Sequence, residues 1–143
     1  KSELYQVPYK NMVRNMFQMP DQMSFDMLYD NLKAQETISF WSTSFLRGTT
    51  LDDAIVIVDE CQNLNFHELD SIITRVGQDS KIVFCGDVNQ SDLQRTNERN
   101  GILDFQRILE GMDEFSMVEF GIGDIVRSGL VKSYLISKMT LGL

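Results

Sequence analysis

Two adjacent acidic residues, Asp59 and Glu60, are the residues of this sequence best placed to do chemistry. They follow residues 54–58, Ala-Ile-Val-Ile-Val, an unbroken apolar run typical of a strand buried on both faces of a parallel sheet. A carboxylate that leaves such a strand can hold Mg²⁺, usually through water. The next carboxylate points differently and can orient or deprotonate an attacking water. The alternative interpretation is that both side chains cap a strand in solvent.

A second apolar run, residues 81–85, leads into Gly86-Asp87, with Gln90 close behind. Ligands bind parallel sheets at the carboxyl ends of the strands, so these polar groups are expected at the same sheet edge as the two carboxylates. A polar side chain there can touch the terminal phosphate of a nucleotide and report its hydrolysis. The alternative is an ordinary glycine turn. Together, the two strand ends favour a Walker B arrangement.

The elements that must position these residues are helices first and alternating strands and helices afterwards. Residues 1–36 form two apolar helical faces separated by Pro20, and residues 37–143 form the predicted core. The expected strands are 37–41, 54–58, 81–85 and 116–120, and the expected later helices are about 66–76, 102–110 and 131–139. This alternation predicts an α/β sandwich with a mostly parallel sheet.

The helix after the acidic pair has clear end signals. Asn65 with Glu68 three residues later predicts a capping box at its start, and Gly77 fits a glycine just past its end.

Composition limits the classes of protein to consider. The chain has 143 residues, of which 43% are hydrophobic and 24% are charged, as in ordinary globular domains. Its net charge of −8 arises entirely in residues 51–143, which lowers the expectation of direct nucleic-acid binding. The two cysteines are too few for a disulfide scaffold or a structural zinc site and suit a reducing cytosol. The chain contains no run of about 18 apolar residues, so its sequence predicts no membrane-spanning segment.

Longer segments carry a family resemblance. Residues 45–63 read FLRGTTLDDAIVIVDECQN, residues 74–77 TRVG, residues 86–93 GDVNQSDL and residues 124–131 DIVRSGLV. Together they resemble the PhoH-like family of P-loop ATPases, in which an Arg-Gly stretch precedes the Walker B strand and Asp-Glu-Ala-Gln-Asn follows it. The similarity extends over residues 5–140. Cys61 replaces the usual alanine, and Ser128-Gly129 replaces a bacterial His-Pro. Such divergent versions occur in phage members, so a phage origin is one expectation.

The resemblance implies a role for each matching residue. Asp59 would coordinate Mg²⁺ and Glu60 would polarise the lytic water, with ATP as the substrate. Gln62 and Gln90 would link the γ-phosphate to conformational change. Arg127 would act as an arginine finger, in cis or across a subunit interface.

Three further positions belong to the same implied nucleotide site. Gly86 and Asp87 would lie at its second strand end, and Arg47 would either contact phosphate or stabilise the loop before the Walker B strand. For Arg127 the alternative is a surface salt bridge with Asp124.

One expected part of a P-loop site is missing. No G-x-x-x-x-G-K-[ST] loop occurs in the chain, although that loop supplies the main contacts to the phosphates. The resemblance therefore implies the C-terminal part of one ATPase domain: a partial RecA-like P-loop NTPase sandwich without its Walker A strand. The fragment alone is expected to be inactive, whereas the full-length protein would be a Mg²⁺-dependent ATPase.

Two other functions stay open at this point. One is a superfamily 1 helicase fragment, and the other is a non-catalytic assembly or regulatory subunit with the same fold. The implied partners are ATP, RNA or DNA, and further copies of the chain in a ring. A cytoplasmic location is expected, with no membrane attachment.

Overall fold

The computed structural model describes residues 2–43, 46, 48–87 and 96–142, with only the backbone described at residues 2, 3 and 96–100. The chain divides into two compact units, Lys1–Phe45 and Leu46–Leu143.

The first unit contains two helices, α1 (Ser2–Phe17) and α2 (Gln22–Ala34), as the apolar periodicity predicted. Pro20 lies between them. The carboxylate of Asp21 caps α2 by accepting a hydrogen bond of 2.8 Å from the backbone N–H of Ser24. This bond satisfies one of the amide donors that a helix start leaves without an intrahelical partner.

The helices of this unit meet through two buried aromatic side chains of α2, Phe25 and Tyr29. Lys10 on α1 forms an ion pair of 2.6 Å with Asp26, and its ammonium group lies 5.3 Å from the centroid of the Tyr29 ring. A cation over an aromatic face is attracted by the ring quadrupole. A polar contact and a cation–π contact therefore hold the same edge of the helix pair.

The predicted strand at residues 37–41 is wrong, because this stretch wraps around the end of α2. The backbone N–H of Ile38 donates to the carbonyl oxygen of Leu32 at 3.2 Å, and Glu36 has a left-handed φ of 57°. These local bonds take the place of a ladder to a neighbouring strand.

The second unit contains a parallel pair of strands, β1 (Ile55–Val58) and β2 (Lys81–Phe84), paired from Ile55 with Lys81 to Val58 with Phe84. The α/β class with a parallel sheet is thus confirmed. The remaining elements of this unit are a 3₁₀ helix at Cys61–Asn63, α3 (Phe66–Ile73), α4 (Thr96–Glu110), a second 3₁₀ helix at Ile122–Asp124 and α5 (Gly129–Thr140).

The helix α3, which joins the two strands, begins as predicted. The side chain of Asn65 accepts from the backbone N–H of Glu68, and the carboxylate of Glu68 accepts from the backbone N–H of Asn65, both at 3.0 Å. This reciprocal pair is a capping box.

The expected role of Gly77 at the end of α3 is wrong, because the helix already ends at Ile73 with Thr74 as its cap. Gly77 instead donates its N–H to the carbonyl oxygen of Leu51 at 2.8 Å. A Cβ atom at residue 77 would clash with the side chain of Asp52, so the close approach of that side chain favours glycine here.

The core of the second unit lies between one face of the sheet and helices α3 and α4. Its buried members are Leu46, Val58, Cys61, Leu69, Ile72, Ile102, Phe105 and Leu109. Phe84 packs edge-to-face on Phe105, with ring centroids 5.0 Å apart. This packing fixes the sheet against α4.

The opposite face of the sheet differs from the sequence expectation of a strand buried on both sides. Ile55 and Ile57 are 74% and 65% exposed, and Val83 on the neighbouring strand is also exposed. The expectation is therefore wrong within the described part of the chain, where β1 alternates between a core face and an open face.

The predicted strand at residues 116–120 is also wrong. In the described residues the sheet has two strands, and Met117, Val118 and Phe120 are exposed outside it. A strand exists only where a neighbour supplies the ladder hydrogen bonds, and an apolar run by itself does not specify one. None of the described helices is long and apolar enough to cross a membrane.

Candidate functional site

The ends of the two parallel strands lie side by side, as the sequence pattern predicted. The N–H of Cys85 donates to the carbonyl oxygen of Val58 at 2.8 Å, and the N–H of Cys61 donates to the carbonyl oxygen of Cys85 at 2.9 Å. The ladder thus continues one step past the strands. It brings the acidic pair of residues 59–60 and the Gly86-Asp87 turn to one edge of the sheet.

The acidic pair forms a tight turn at this edge. A carboxylate oxygen of Asp59 accepts a hydrogen bond of 3.0 Å from the backbone N–H of Glu60. Glu60 adopts a left-handed conformation, with φ 52° and ψ 39°. This conformation is uncommon for a residue other than glycine, and such residues cluster at functional sites. Both side chains are exposed at the sheet edge, as a nucleotide site requires.

A buried amide connects the two strand ends. Gln62 is 1% exposed, and its Nε2 donates to Oε2 of Glu60 at 2.5 Å. Its Oε1 accepts from the backbone N–H of Asp87 at 3.2 Å. A hydrogen bond to an ionised carboxylate is roughly twice as strong as one between neutral groups. Glu60 is therefore held to the residue that follows the other strand.

The neighbouring glycine is required by this bridge. A Cβ atom at Gly86 would lie 2.6 Å from Oε1 of Gln62 and 2.7 Å from Sγ of Cys61. The sequence pattern suggested an ordinary glycine turn as one reading of this position. The structure instead places Gly86 where the backbone passes directly over the Gln62 amide and the Cys61 thiol.

Cys61 anchors the turn to the core. Its side chain is buried, and burial raises the pKa of its thiol, with the nearby Cys85 acting in the same direction. A buried neutral thiol behaves as a small apolar group, which suits a position next to Val58 in the core. The exposed carboxylates thus lie on a turn that is followed directly by Cys61, a residue buried in the core.

The remaining predicted site residues are not part of this arrangement in the described chain. Gln90 and Arg47 lie outside the described residues. Arg127 is exposed in the segment between the second 3₁₀ helix and α5. Within the described residues it makes no ion pair with Asp124, whose carboxylate instead accepts from the N–H of Gly121 at 2.7 Å. The alternative of a salt bridge between Arg127 and Asp124 is therefore wrong.

Sequence reasoning missed the contact between Gln62 and Glu60. It expected Gln62 to link the γ-phosphate to conformational change and did not foresee that this side chain is buried and bonded to the carboxylate two residues before it. The available signal was the spacing: in a tight turn, a long amide at i+2 can fold back onto residue i. Ser80 was missed as well; its hydroxyl donates to the carbonyl oxygen of Leu51 and accepts from the N–H of Ala54, which joins the loops before the two strands.

The acidic pair suits a Mg²⁺ ion that is bound jointly by protein and phosphate oxygens, rather than one bound by protein side chains alone. No group of three or more potential metal-ligating side chains occurs among the residues that the structure describes. Mg²⁺ in nucleotide sites is usually bound by one or two carboxylates, with phosphate and water oxygens completing the shell. One carboxylate at an exposed strand end, as at Asp59, is compatible with that donor set.

A parallel α/β sheet whose strand ends carry an acidic pair and a glycine-aspartate turn is consistent with a partial RecA-like P-loop NTPase fold. Residues 3–137 match the family described as PhoH-like protein, and the chain belongs to this P-loop NTPase-type family.

Curated relatives agree with this assignment. A PhoH-like protein of Bacillus subtilis is 37% identical over 115 residues, covering 75% of this chain and 36% of the relative. A PhoH-like protein of Mycobacterium leprae is 36% identical over 115 residues, covering 75% and 33%. Protein PhoH of Escherichia coli K12 is 34% identical over 92 residues, covering 64% and 26%. The chain thus spans about a third or less of the length of these relatives.

Proposed function

We propose that this chain forms the carboxylate half of an ATP-hydrolysing site. The observation that carries the proposal is the bridge through Gln62, which holds Glu60 beside the backbone of Asp87 at the carboxyl edge of a parallel sheet. Ligands of open α/β sheets bind at this edge. The family assignment supports nucleotide as the ligand.

Each member of the acidic pair has a distinct role in this proposal. Asp59 holds Mg²⁺, which when bound neutralises charge on the phosphates of ATP. Glu60 orients the attacking water and accepts its proton. Both residues lie in the turn that follows β1, and Glu60 adopts the left-handed conformation there.

Other residues complete the proposed site. Gly86 and Asp87 form its second edge, and Gln90 contacts the terminal phosphate. Arg47 binds phosphate or steadies the loop before β1. Arg127 acts as an arginine finger, and its exposed position leaves its guanidinium accessible to a phosphate of the same chain or of a second copy in a ring.

The proposal requires a phosphate-binding loop from outside these 143 residues. The sequence contains no G-x-x-x-x-G-K-[ST], so the backbone N–H groups and the lysine that grip the phosphates must come from other parts of the full-length protein. ATP turnover is therefore a property proposed for the full-length protein.

The test is steady-state ATPase assay of the full-length protein, with and without single-stranded RNA or DNA. Glu60→Gln should lower kcat by about 10²-fold or more while leaving ATP binding intact, because general-base catalysis contributes about 10² to 10⁴. Asp59→Asn should raise the Mg²⁺ concentration needed for half-maximal rate. Stimulation by nucleic acid would identify the coupled partner.

Asp79→Asn provides a matched control. Asp79 also has a left-handed φ, 53°, but it precedes β2 and so lies at the opposite end of the sheet. Its replacement should leave kcat unchanged. Full turnover in Glu60→Gln would refute the proposed role of Glu60, whereas no turnover in the wild-type full-length protein would favour a non-catalytic subunit.

A further inference from the structure

Gln62 stands out because it is the most deeply buried polar side chain of the described residues. It lies in the 3₁₀ helix Cys61–Asn63, directly after the acidic pair. A buried amide is costly unless both of its ends are hydrogen-bonded. Here the NH₂ end is bonded to the carboxylate of Glu60 and the oxygen end to the N–H of Asp87.

This burial argues against a direct contact between Gln62 and a phosphate. A side chain that is 1% exposed does not reach a phosphate in solvent, and both ends of its amide already have partners within the protein. Any effect of Gln62 on hydrolysis must therefore pass through the groups that it holds.

We propose that Gln62 is a positioning residue that fixes the Glu60 carboxylate and couples it to the backbone at Asp87. The inference rests on the proposed function, in which Glu60 acts on the attacking water. An exposed glutamate has several rotamers of similar energy, whereas a base must lie within hydrogen-bond reach of the proton that it takes. The amide of Gln62 selects one orientation of that carboxylate.

The coupling operates in both directions along this bridge. A shift of the backbone at residue 87 moves the acceptor end of the Gln62 amide, and the donor end carries the Glu60 carboxylate with it.

Gly86 offers an independent way to disturb the same bridge. Because a Cβ at residue 86 would lie 2.6 Å from Oε1 of Gln62, Gly86→Ala must displace the amide or the backbone over it. Gly86→Ala and Gln62→Met should therefore damage the same step. Their combination should cost less than the product of the single effects, because the amide is no longer there to be displaced.

The principal experiment is a kinetic comparison in the full-length protein. Gln62→Met, which preserves size and apolar packing but removes the amide, should lower kcat about 10- to 100-fold with KM for ATP within twofold, since a misplaced catalytic group costs on the order of 10²-fold. The urea midpoint is measured in parallel. If kcat falls by more than the decrease in the folded fraction of the protein explains, Gln62 positions the carboxylate and does not merely stabilise the fold.

Gln106→Met is the matched control. Gln106 also donates to a glutamate carboxylate, that of Glu110 at 2.9 Å, but on the surface of α4. This variant should keep wild-type kcat and KM. Wild-type kcat in Gln62→Met, or an equal loss in Gln106→Met, would overturn the inference.

A second measurement is independent of ATP turnover. In the full-length protein, nuclear magnetic resonance should show the side-chain NH₂ protons of Gln62 exchanging with water more slowly than those of Gln106, and Glu60→Ala should remove that protection. Fast exchange in the wild type would refute the bridge itself. If the bridge is present but the full-length wild type hydrolyses no ATP, the proposed function fails and the positioning role fails with it.

Discussion

The backbone N–H of Cys61 donates a hydrogen bond of 2.9 Å to the carbonyl oxygen of Cys85, and this bond joins the residues that follow the two parallel strands. It extends the β1–β2 pairing beyond the strands themselves and holds the turn at residues 59–60 beside the turn at residues 86–87. The geometry of the candidate site therefore depends on backbone bonds rather than on long exposed side chains.

The two thiols at this junction should differ in reactivity. Cys61 is buried and burial raises its pKa, whereas Cys85 is half-buried. Because the thiolate is the reactive form, we expect an aromatic disulfide reagent at pH 8 to modify Cys85 several-fold faster than Cys61. The single-cysteine variants Cys61→Ala and Cys85→Ala show which thiol gives the fast phase of the modification and which gives the slow phase. Equal rates before the addition of urea would contradict the buried position of Cys61.

The raised pKa of Cys61 also has a consequence for stability. The native state holds this thiol proton more tightly than the unfolded state does. The resulting contribution to the free energy of unfolding is complete below the ordinary thiol pKa of about 8.5, and it is lost as pH rises through the raised pKa. Urea midpoints from pH 7.5 to 10 should therefore fall more steeply in the wild type than in Cys61→Ala. A parallel decline in both proteins would exclude this contribution.

Leu69 should be the most sensitive apolar position of α3. Its side chain is fully buried between the sheet and α4, as part of the core cluster. Leu69→Ala removes buried methyl groups and leaves a cavity, which typically costs about 2–5 kcal/mol in the free energy of unfolding. Leu130→Ala, at an 83% exposed leucine, should change that free energy by less than about 0.5 kcal/mol. Similar urea midpoints for the two variants would show that Leu69 is not in the core.

The ion pair of the helical unit predicts a lowered pKa for Asp26. Hydrogen bonds from Lys10, and then from Gln22, hold the pKa of this carboxyl below its ordinary value. A carboxyl group whose pKa is lowered in the native state stabilises that state above about pH 3.9. This stabilisation is lost as pH falls through the lowered pKa. Titration of the carboxyl carbon by nuclear magnetic resonance measures it directly.

Lys10→Met should raise the pKa of Asp26 towards its ordinary value. It should not affect Asp21, whose pKa is lowered mainly by the backbone N–H of Ser24 rather than by a cation. An unchanged Asp26 titration in this variant would mean that the pair between α1 and α2 does not persist in solution.

The absence of a phosphate-binding loop predicts weak nucleotide binding by the 143-residue chain alone. Charge-assisted contacts from that loop supply most of the binding free energy for the polyphosphate. Calorimetric titration with Mg²⁺-ATP should therefore give a Kd weaker than about 1 mM, equivalent to less than about 4 kcal/mol of binding free energy. Micromolar binding by this chain would require a phosphate site that the Walker motifs do not describe.

Elements with strong local signals were predicted well from sequence. The apolar run predicted as a strand at residues 54–58 forms β1 at Ile55–Val58, and the Asn65–Glu68 capping box formed as expected. In both cases the residues that decide the structure are within a few positions of one another. The strands predicted at 37–41 and 116–120 did not form, because a short apolar run becomes a strand only where another strand offers its hydrogen-bonding edge.

The sequence by itself determined the family, the parallel α/β class and the position of the acidic pair at a strand end, since these follow from local residue order. Only the tertiary structure decided how Glu60, Gln62 and Asp87 are arranged. Gln62 and Asp87 are 25 residues apart, and their contact depends on the register of β1 against β2. Residues of both strands pack into the same core as residues of α3 and α4, so this contact is a property of the folded unit as a whole.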